Sequence, residues 1–323
     1  MKLVIFVIAL NEEKTLGKVL DLMPKSIKGV DQIEKLVVSD GSQDKTVEIA
    51  REHGARVIEG HAQKRLAYRF QQAVEECLKM GADIAVNIDA DLQFNPADIP
   101  TLVDPILNHG YNFVAADRFT DPETGVKRKP ENMPGGKYYA NLLGAWIVGK
   151  LSGYKFNDVT CGFRAYDRKA LLSLNINSKY TYTQESFQVL AVKKLNMTSM
   201  PVLVKYFPGR KSRVVTNFFQ FLFGSAINIM RAFRDQAPLT FFLGLGIIPF
   251  VMGMIMLIAL GVHYLINQSF TPYKFLGFGG IYLLSLGLFI WGLGLMADML
   301  DRNNINQEKI IERLKRIEYE EKK

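Results

Sequence analysis

The sequence contains little cysteine and histidine, and it lacks two of the glycine-rich motifs that bind phosphates. Its 2 cysteines, Cys77 and Cys161, and its 4 histidines form no spacing typical of a zinc site. Such low cysteine usage suits a reducing compartment. No GxGxxG follows the first predicted strand, and no GxxxxGKS/T occurs in the chain. These absences argue against a dehydrogenase-type dinucleotide site and against a P-loop.

Charge is also missing from two long stretches near the C-terminus. Residues 236–273 and 275–297 contain no Lys, Arg, Asp or Glu. Each stretch reaches the roughly 20 residues that cross a bilayer core, and "NQSFTP" at 267–272 separates them. We therefore predict two membrane spans, near 239–266 and 275–297, with a pair of buried core helices as the alternative.

The basic residues around these spans predict their orientation. They lie before the first span and after the second, whereas the loop between the spans carries only Lys274. These flanking residues are Arg231, Arg234, Arg302, Lys309, Arg313, Lys315 and Arg316. By the positive-inside rule we expect a multi-pass cell-membrane protein whose catalytic part and two termini are cytoplasmic. The first residues, "MKLVIFVIAL", are too short an apolar run to predict a signal peptide.

The chain is basic, with 40 Lys and Arg against 32 Asp and Glu and a net charge of +8. Much of the excess flanks the predicted spans, where anionic lipid head groups attract basic side chains. We therefore expect a membrane partner and no nucleic acid.

Strand and helix signals alternate through the first 120 residues. Apolar runs such as "LVIFVIAL", "KLVVSD" and "DIAVNID" are separated by helical patterns. This alternation predicts an α/β fold with a mostly parallel sheet and helices on both faces, for which a nucleotide is a common ligand. After residue 120, "TDPETGVKRKPENMPGGK" is rich in Pro, Gly and charge, and it predicts a mobile loop that acts as a lid.

Polar clusters follow several of the predicted strands. "ALNEE", "SDGSQDKT", "DADLQ" and "ADRF" each come directly after an apolar run. Because the carboxyl ends of parallel strands share one edge of a sheet, we expect these clusters to meet there. In "DADLQ", Asp89, Asp91 and Gln93 offer oxygen ligands to one hard divalent cation. The alternative for this segment is an acidic turn that only ends the strand.

The segment before the first predicted span is amphipathic. In "TNFFQFLFGSAINIMRAFRD", which begins at residue 216, polar and basic side chains share one helical stripe and apolar side chains cover the remainder. This pattern predicts a helix in the membrane interface, with a helix packed under the soluble domain as the alternative. The predicted domains are a catalytic domain at 1–215, an interfacial helix at 216–236, two spans at 237–298 and a charged helical tail at 299–323.

Five motifs give the soluble part a resemblance to a known family. They are "ALNEE", "VVSDGSQDKT", "NIDADLQFNPADIP", "DVTCGFRAYDRKAL" and "YTYTQES". In this order, over residues 1–215, they resemble the family 2 glycosyltransferases of the polyprenyl-phosphate branch, which includes dolichol-phosphate mannose synthases. The resemblance implies a GT-A fold, a Rossmann-like sheet that holds a nucleotide-sugar. The two predicted spans resemble the membrane helices of some members.

The resemblance implies donor-binding roles for residues at the strand ends. Three residues would line the nucleotide pocket: Leu10, Asn11 and Glu12. Asp40 would hydrogen-bond the base or ribose. Asp89 and Asp91 would be the DxD pair, with Gln93 as a further ligand of the Mg²⁺ or Mn²⁺ cofactor that holds the diphosphate. The sequence departs from the family where Ser39 replaces the first of two aspartates, and where "HAQKRLAYRF" lacks the glycines of many relatives.

A lipid phosphate acceptor would need cations rather than a general base. Its second pKa lies near 6, so at neutral pH it is largely dianionic and already nucleophilic. A sugar hydroxyl would instead need a carboxylate to take its proton. The candidate phosphate-binding residues are Arg118, Lys137, Arg210, Lys211 and Arg213. The alternative for each of them is a solvated surface charge.

The motifs after the loop are expected to border the sugar and acceptor pocket. Asp158 and Arg164 are predicted to bind the nucleotide-sugar, and the alternative for Arg164 is an ion pair with Asp158 or Asp167. The predicted catalytic residues are Asp91, Arg118, Gln184 and Glu185.

Together these features predict an inverting, metal-dependent hexosyltransferase. The donor would be a GDP- or UDP-linked mannose or glucose, and the acceptor a polyprenyl or dolichyl phosphate. Two alternatives remain: a glycosyltransferase that acts on a sugar hydroxyl, and a non-catalytic membrane scaffold with the same fold. The intact DxD pair argues against the scaffold, and two spans are few for a polysaccharide channel. The sequence leaves a homo-oligomer open.

Overall fold

The structure is a computed structural model that describes residues 1–176, 182–206, 234 and 237–320. The chain divides into two compact units, of which the first contains residues 1–211 and 312–323 and the second residues 212–311. Apart from Arg234, the predicted interfacial helix at 216–236 lies outside the described residues. The same holds for three of the predicted phosphate-binding residues: Arg210, Lys211 and Arg213.

The described part of the first unit contains a seven-stranded sheet. Its strands are β1 (Lys2–Ala9), β2 (Gln32–Ser39), β3 (Arg56–Ile58), β4 (Ile84–Asn87), β5 (Phe113–Asp117), β6 (Arg164–Asp167) and β7 (Met197–Pro201). Their order is β3-β2-β1-β4-β6-β5-β7. Strand β6 runs antiparallel to its two neighbours, and the other pairs are parallel. The prediction of a mostly parallel sheet is therefore confirmed.

Helices cover both faces of this sheet. They are α1 (Leu16–Asp21), α2 (Thr46–Glu52), α3 (Leu66–Lys79), α4 (Ile99–His109), α5 (Gly135–Ser152), α6 (Arg168–Ser173) and α7 (Thr183–Val192). A 3₁₀ turn, Pro96–Asp98, precedes α4. Helices α1, α2 and α4 pack into the core on one face, and α3, α5, α6 and α7 pack into the core on the other.

The continuous apolar runs of the sequence follow from this two-sided burial. Along β1, Val4 and Phe6 belong to the core beneath α3, whereas Leu3, Ile5 and Val7 belong to the core beneath α1. All five side chains have no exposed surface. Successive side chains of a strand point to opposite faces, so a strand buried on both faces must be apolar at every position.

The first part of the segment after β5 is a hairpin, and the mobility that the sequence predicted for this loop stays a prediction. Thr120 and Lys127 form an antiparallel bridge, and the backbone N–H of Arg128 donates to the carbonyl of Phe119 at 2.8 Å. Gly125 has a φ of +66° at the turn. The glycine therefore allows the chain to reverse and pair with itself rather than marking a segment without structure.

The apolar C-terminal stretches form two helices, α8 (Pro238–Asn267) and α9 (Lys274–Glu320), and both are long and apolar enough to cross a membrane. The break between them lies where "NQSFTP" predicted it. Helix α9 continues past the predicted second span through the charged tail. No Gly or Pro occurs after Gly294 to end it.

Glycines bring α8 and α9 close together within the second unit. A Cβ at Gly253 would lie 2.6 Å from the carbonyl oxygen of Gly280, and one at Gly287 would lie 2.7 Å from Cβ of Phe250. Small residues at such positions are the usual means by which membrane helices approach closely. The glycine-rich composition of both stretches therefore serves packing between the two helices.

Candidate active site

The carboxyl ends of four parallel strands bring the polar clusters to one edge of the sheet. Strands β1, β2, β4 and β5 run in the same direction and end at Ala9, Ser39, Asn87 and Asp117. Strand β6 runs the opposite way and so begins at this edge. The residues just before it, 158–163, therefore lie at the edge as well.

The acidic motif lies directly beyond β4. Asp89 is exposed, and Asp91 and Gln93 are half-buried, whereas Ala90 between the aspartates is buried. The Asp91 carboxylate accepts a hydrogen bond from the backbone N–H of Gln93 at 3.0 Å, and Leu92 has a left-handed φ of +59°. This tight turn fixes Asp91 next to Gln93 at the open edge of the sheet.

Gly162 provides the space in which the Asp89 carboxylate lies. A Cβ at Gly162 would lie 3.0 Å from Asp89 Oδ1 and 3.1 Å from the Tyr182 hydroxyl. Asn87 donates to the carbonyl of Gly162 at 2.8 Å and hydrogen-bonds the Tyr182 hydroxyl, and Tyr182 stacks on Phe70 with ring centroids 3.8 Å apart. Burial, and then the Asp89 charge, raise the pKa of Tyr182 well above its ordinary value, so the hydroxyl stays protonated beside the carboxylate.

These oxygen ligands fit a divalent cation that is bound together with a diphosphate. Mg²⁺ typically takes one or two protein carboxylates and completes its shell with phosphate oxygens and water. For such a cation, Asp89 and Asp91 would supply carboxylates and Gln93 an amide oxygen. The part of the chain that the structure describes holds no cluster of three or more His, Cys, Asp or Glu that could form an all-protein metal cage.

Asp40, just beyond β2, is 7% exposed. Its carboxylate accepts hydrogen bonds from Arg69 Nε at 2.8 Å and from the backbone N–H groups of Lys64 and Arg65 at 2.8 and 3.2 Å. Gly60 makes room for this arrangement, because a Cβ there would lie 2.0 Å from Arg69 Nη2. A carboxylate has about four acceptor sites, so these three hydrogen bonds leave about one site open.

The turn after β1 is tied to the turn after β2. Its residues are the three predicted to line the nucleotide pocket: Leu10, Asn11 and Glu12. The backbone N–H of Asn11 donates to Ser42 Oγ at 3.1 Å, and that of Glu12 donates to Thr46 Oγ1 at 2.9 Å. Ser39 is buried, and its hydroxyl accepts from the backbone N–H of Ser42 at 3.1 Å. The residue that departs from the family pattern thus stabilises this pair of turns.

A buried ion pair follows β5. Arg118 and Asp158 are 8% and 1% exposed, and Arg118 Nε and Nη2 donate to the two Asp158 oxygens at 2.5 and 2.9 Å. Arg118 Nη2 also donates to Thr160 Oγ1 at 2.7 Å. Burial disfavours the charged form of both side chains. The opposite charges and the hydrogen bonds around them outweigh this effect. The pKa of Arg118 is raised and the pKa of Asp158 is lowered, so both are charged at neutral pH.

Lys137 and Tyr206 complete this group, which we name the cationic cluster: Arg118, Lys137, Asp158 and Tyr206. Arg118 Nη1 donates to the Tyr206 hydroxyl at 3.0 Å, and Lys137 Nζ lies 5.4 Å from the centre of the Tyr206 ring. Burial, and then the Arg118 charge, lower the pKa of Lys137. None of the ion pairs among the described residues includes Lys137. Arg118 is therefore paired with Asp158, whereas Lys137 lies near this pair with no ion-pair partner of its own among the described residues.

The segment 158–162 joins the cationic cluster to the acidic motif. Asp158 and Thr160 bind Arg118, and two residues further on Gly162 contacts the Asp89 carboxylate. An anionic group at the cationic cluster would therefore lie close to a ligand held at Asp89.

Arg164, at the start of β6, is fully buried. Its guanidinium donates hydrogen bonds to three groups: the carbonyls of Val159 and Cys161 and the hydroxyl of Ser186. The ion pair with Asp158 or Asp167 that the sequence offered as an alternative does not form, because Asp158 pairs with Arg118. With no exposed surface, Arg164 positions the segment 158–162 rather than presenting a charge to a ligand.

The predicted residues Gln184 and Glu185 lie half-buried in the first turn of α7. This helix begins beside Tyr182, whose hydroxyl lies next to the Asp89 carboxylate. Gln184 Nε2 would be 3.9 Å from a Cβ at Gly144 of α5. Gln184 therefore lies near α5, and the catalytic role of both residues stays a prediction.

Several residues that shape the site were not assigned a role from the sequence: Gly60, Arg69, Asn87, Thr160, Gly162, Tyr182 and Tyr206. Arg69 and Gly162 lie within the motifs "HAQKRLAYRF" and "DVTCGFRAYDRKAL", so a motif was the signal that could have found them. Tyr206 meets Arg118 across 88 residues, and no local pattern encodes that contact.

Residues 4–174, just over half of the chain, match the glycosyl transferase family 2 domain. A UDP-N-acetylglucosamine–dolichyl-phosphate N-acetylglucosaminyltransferase of Methanococcus voltae is 29% identical over 241 residues, which cover 67% of this chain and 92% of that protein. A dolichyl-phosphate hexose transferase of Haloferax volcanii is 30% identical over 218 residues, which cover 67% of this chain and 86% of that protein.

A solved structure shows the same fold. Glucosyl-3-phosphoglycerate synthase from Mycobacterium tuberculosis, in complex with Mn²⁺, UDP-glucose and phosphoglyceric acid, matches with a TM-score of 0.53 at 20% identity. The match covers 73% of this chain and 79% of that one. The predicted GT-A architecture is therefore confirmed.

Proposed function

Because the chain belongs to glycosyl transferase family 2, we propose that it transfers a hexose from a nucleotide-sugar to a polyprenyl phosphate at the cell membrane. The observation that carries this proposal is the cationic cluster, which the segment 158–162 joins to the acidic motif at Asp89. A family fold with this pair of sites suits a donor diphosphate at one and an acceptor phosphate at the other.

On the donor side, Asp89, Asp91 and Gln93 would hold Mg²⁺ or Mn²⁺ together with the diphosphate. When bound, the cation neutralises the diphosphate and so makes it a better leaving group. Asp40 and the turn after β1 would bind the nucleoside. The nucleotide would be GDP or UDP and the sugar mannose or glucose. The N-acetylglucosaminyltransferase relative adds N-acetylglucosamine to the sugars worth testing.

On the acceptor side, Asp158 and Thr160 hold Arg118 in place before any phosphate arrives. A guanidinium has five N–H donors, and the described contacts of Arg118 use one at Nε, two at Nη2 and one at Nη1. The second Nη1 donor and the Lys137 ammonium would bind the phosphate oxygens. Because the phosphate is already largely dianionic at neutral pH, no general base is required to deprotonate it.

The names of the two relatives support this acceptor class, since both names include dolichyl phosphate. The two apolar helices α8 and α9 support a place at the membrane, where such a lipid is found. Attack on the sugar from the side opposite the diphosphate would invert the anomeric centre, giving a β-linked product from an α-linked donor.

The experiment uses the full chain in lipid nanodiscs with a panel of labelled nucleotide-sugars: GDP-mannose, UDP-glucose and UDP-N-acetylglucosamine. Each is offered with a polyprenyl phosphate or with free sugars, and the label is followed into the organic phase. We expect lipid-linked label that is lost in EDTA and restored by Mg²⁺ or Mn²⁺. Asp91→Asn should lower turnover by about three orders of magnitude.

The matched control is Asp104→Asn. Asp104 is exposed on α4, and among the described side chains it contacts Asn108 through a hydrogen bond and His109 through a 3.7 Å ion pair. It should leave turnover unchanged. Label that appears on a sugar hydroxyl and stays out of the lipid would favour the hydroxyl-directed transferase. No transfer to any acceptor would favour a non-catalytic scaffold.

A further inference from the structure

Helix α5 carries an exposed apolar stripe. Tyr139, Leu143 and Trp146 are 70%, 55% and 60% exposed. The opposite side of the helix is buried, with Ala145 and Val148 packed into the core beneath α7. A soluble surface seldom exposes a tryptophan, a tyrosine and a leucine side by side, and such a patch indicates an interaction site.

The three side chains form one line along the helix, together with Lys150. At 100° per residue, positions 139, 143, 146 and 150 lie within an arc of about 60° and span about 16 Å of helix axis. Lys150 Nζ lies 5.4 Å from the centre of the Trp146 ring. The line therefore presents two amphipathic rings, one aliphatic side chain and one cation to the same surroundings.

This combination matches the chemistry of a membrane surface. Tyrosine and tryptophan concentrate at the head-group level of bilayers, because one end of each ring system is apolar and the other polar. Lysine next to them is attracted to anionic head groups. Lys155, which follows α5, is also exposed. Charge and apolar surface thus favour an anionic bilayer over a protein partner.

The position of the stripe relates it to the proposed acceptor site. Lys137 of the cationic cluster lies in the first turn of α5, two residues before Tyr139. A bilayer in contact with the stripe would therefore lie against the same helix that carries Lys137, although Lys137 points about 160° away from Tyr139 around the helix axis. We propose that α5 docks on the anionic lipid surface through Tyr139, Leu143 and Trp146. The purpose of the docking rests on the proposed function, but its test does not require turnover.

The two tryptophans of the chain make the test direct. Trp291 lies in α9, so Trp291→Phe leaves Trp146 as the sole emitter. The full-length variant is placed in nanodiscs containing phosphatidylglycerol and lipids brominated near the head-group end of the acyl chain. We expect Trp146 emission to fall relative to unbrominated lipid, because an interfacial ring lies at the head-group and acyl boundary.

The matched control moves the tryptophan to the other face of the sheet. Leu22 is 44% exposed at the end of α1, which packs into the opposite core. Leu22→Trp in a chain that also carries Trp146→Phe and Trp291→Phe should show no quenching by brominated lipid and full quenching by acrylamide. Trp146→Phe alone reports the separate signal of Trp291.

A second variant tests the consequence for the acceptor. Leu143→Asn with Trp146→Ser changes only exposed side chains, so the melting temperature should not move. We expect KM for a long-chain polyprenyl phosphate in bilayers to rise about tenfold, while kcat/KM for a short, water-soluble prenyl phosphate stays unchanged. Equal losses on both acceptors would overturn a docking role.

The quenching results distinguish whether lipid, water or protein contacts the stripe. Trp146 that acrylamide reaches and brominated lipid does not would show that the stripe faces water. Trp146 shielded from both quenchers would show that protein covers it. Either result overturns the proposal. Quenching by lipid in a protein that glycosylates no prenyl phosphate would leave the docking intact and refute the proposed function instead.

Discussion

Arg118 and Asp158 are 40 residues apart in the sequence and face each other as a buried pair of charges. Removing either residue would leave the other charge buried without its partner, which costs about 3–5 kcal/mol. A variant of Arg118 would therefore change stability as well as acceptor binding. Lys137 has no ion pair among the described residues, so its replacement tests the cationic cluster with less damage to the fold.

We expect the activity to fall at alkaline pH as Lys137 loses its proton. Burial and the Arg118 charge lower the pKa of Lys137 below its ordinary value. The charged form that we propose binds the acceptor is therefore present below this lowered pKa and is lost as the pH rises through it. Lys137→Arg stays charged at higher pH. The alkaline limb of kcat/KM for polyprenyl phosphate should accordingly move to higher pH in that variant.

Removing the charge of Lys137 altogether measures how much it contributes to acceptor binding. Lys137→Met should lower kcat/KM for the acceptor by about 10- to 100-fold, the value of a lost hydrogen bond to a charged group, and leave KM for the nucleotide-sugar unchanged. The matched control is Lys79→Met, an exposed lysine at the end of α3. A pH profile of Lys137→Met that coincides with that of the unaltered protein would exclude Lys137 from acceptor binding.

At the scale of elements, the last turns of α9 belong to the first unit. Tyr319 packs against its core. Three polar contacts accompany it: Arg168 Nη2 to the carbonyl of Tyr319 at 2.8 Å, Lys315 Nζ to the carbonyl of Leu174 at 2.7 Å, and Lys193 Nζ to Glu312 at 3.1 Å. The Leu174 carbonyl lies just after α6 and has no intrahelical partner there. Lys315, near the end of α9, supplies the hydrogen bond that this carbonyl would otherwise lack.

We expect Lys315→Met to weaken the first unit locally. The variant loses the hydrogen bond to Leu174, which should cost about 1 kcal/mol once relief from burying the ammonium is included. Hydrogen exchange of the amides in α6 should become faster. Lys309→Met, an exposed lysine on the same helix, should leave the exchange unchanged. Equal protection of α6 in both variants would show that the end of α9 does not stabilise the unit.

At the scale of the whole molecule, these contacts bear on topology. The end of α9 is part of the first unit, so we expect residues 312–320 and the catalytic unit to lie on the same side of a membrane. The chain between them must then cross an even number of times, which two spans in α8 and α9 satisfy. The flanking basic residues favour the cytoplasm as that side.

Cysteine labelling of intact cells tests this topology. The native Cys77 and Cys161 are fully buried, and burial raises the pKa of Cys161 to about 12, so their background reaction should be low. A membrane-impermeant maleimide should label Ser269→Cys between the two helices. Glu48→Cys on α2 and Asn306→Cys in the tail should react only after the cells are lysed. Labelling of Glu48→Cys in intact cells would contradict a cytoplasmic catalytic unit.

The sequence by itself determined the elements whose signal is local. Continuous apolar runs gave β1, β2 and β4, and the charge-free stretches gave the two long helices. The DxD role of the acidic residues after β4 stays a prediction. The strands and the two long helices depend on composition over consecutive residues, because burial on two faces or in a bilayer requires every residue of the run to be apolar.

Only the tertiary structure decided which distant residues meet. Strand β6 enters between β4 and β5, and this placement brings the segment 158–162 to the active edge, where Asp158 pairs with Arg118 and Gly162 makes room for Asp89. Arg164 becomes a buried anchor for the same reason. Such contacts depend on the path of the whole chain, because pairing across tens of residues is fixed by strand order and not by the residues on either side.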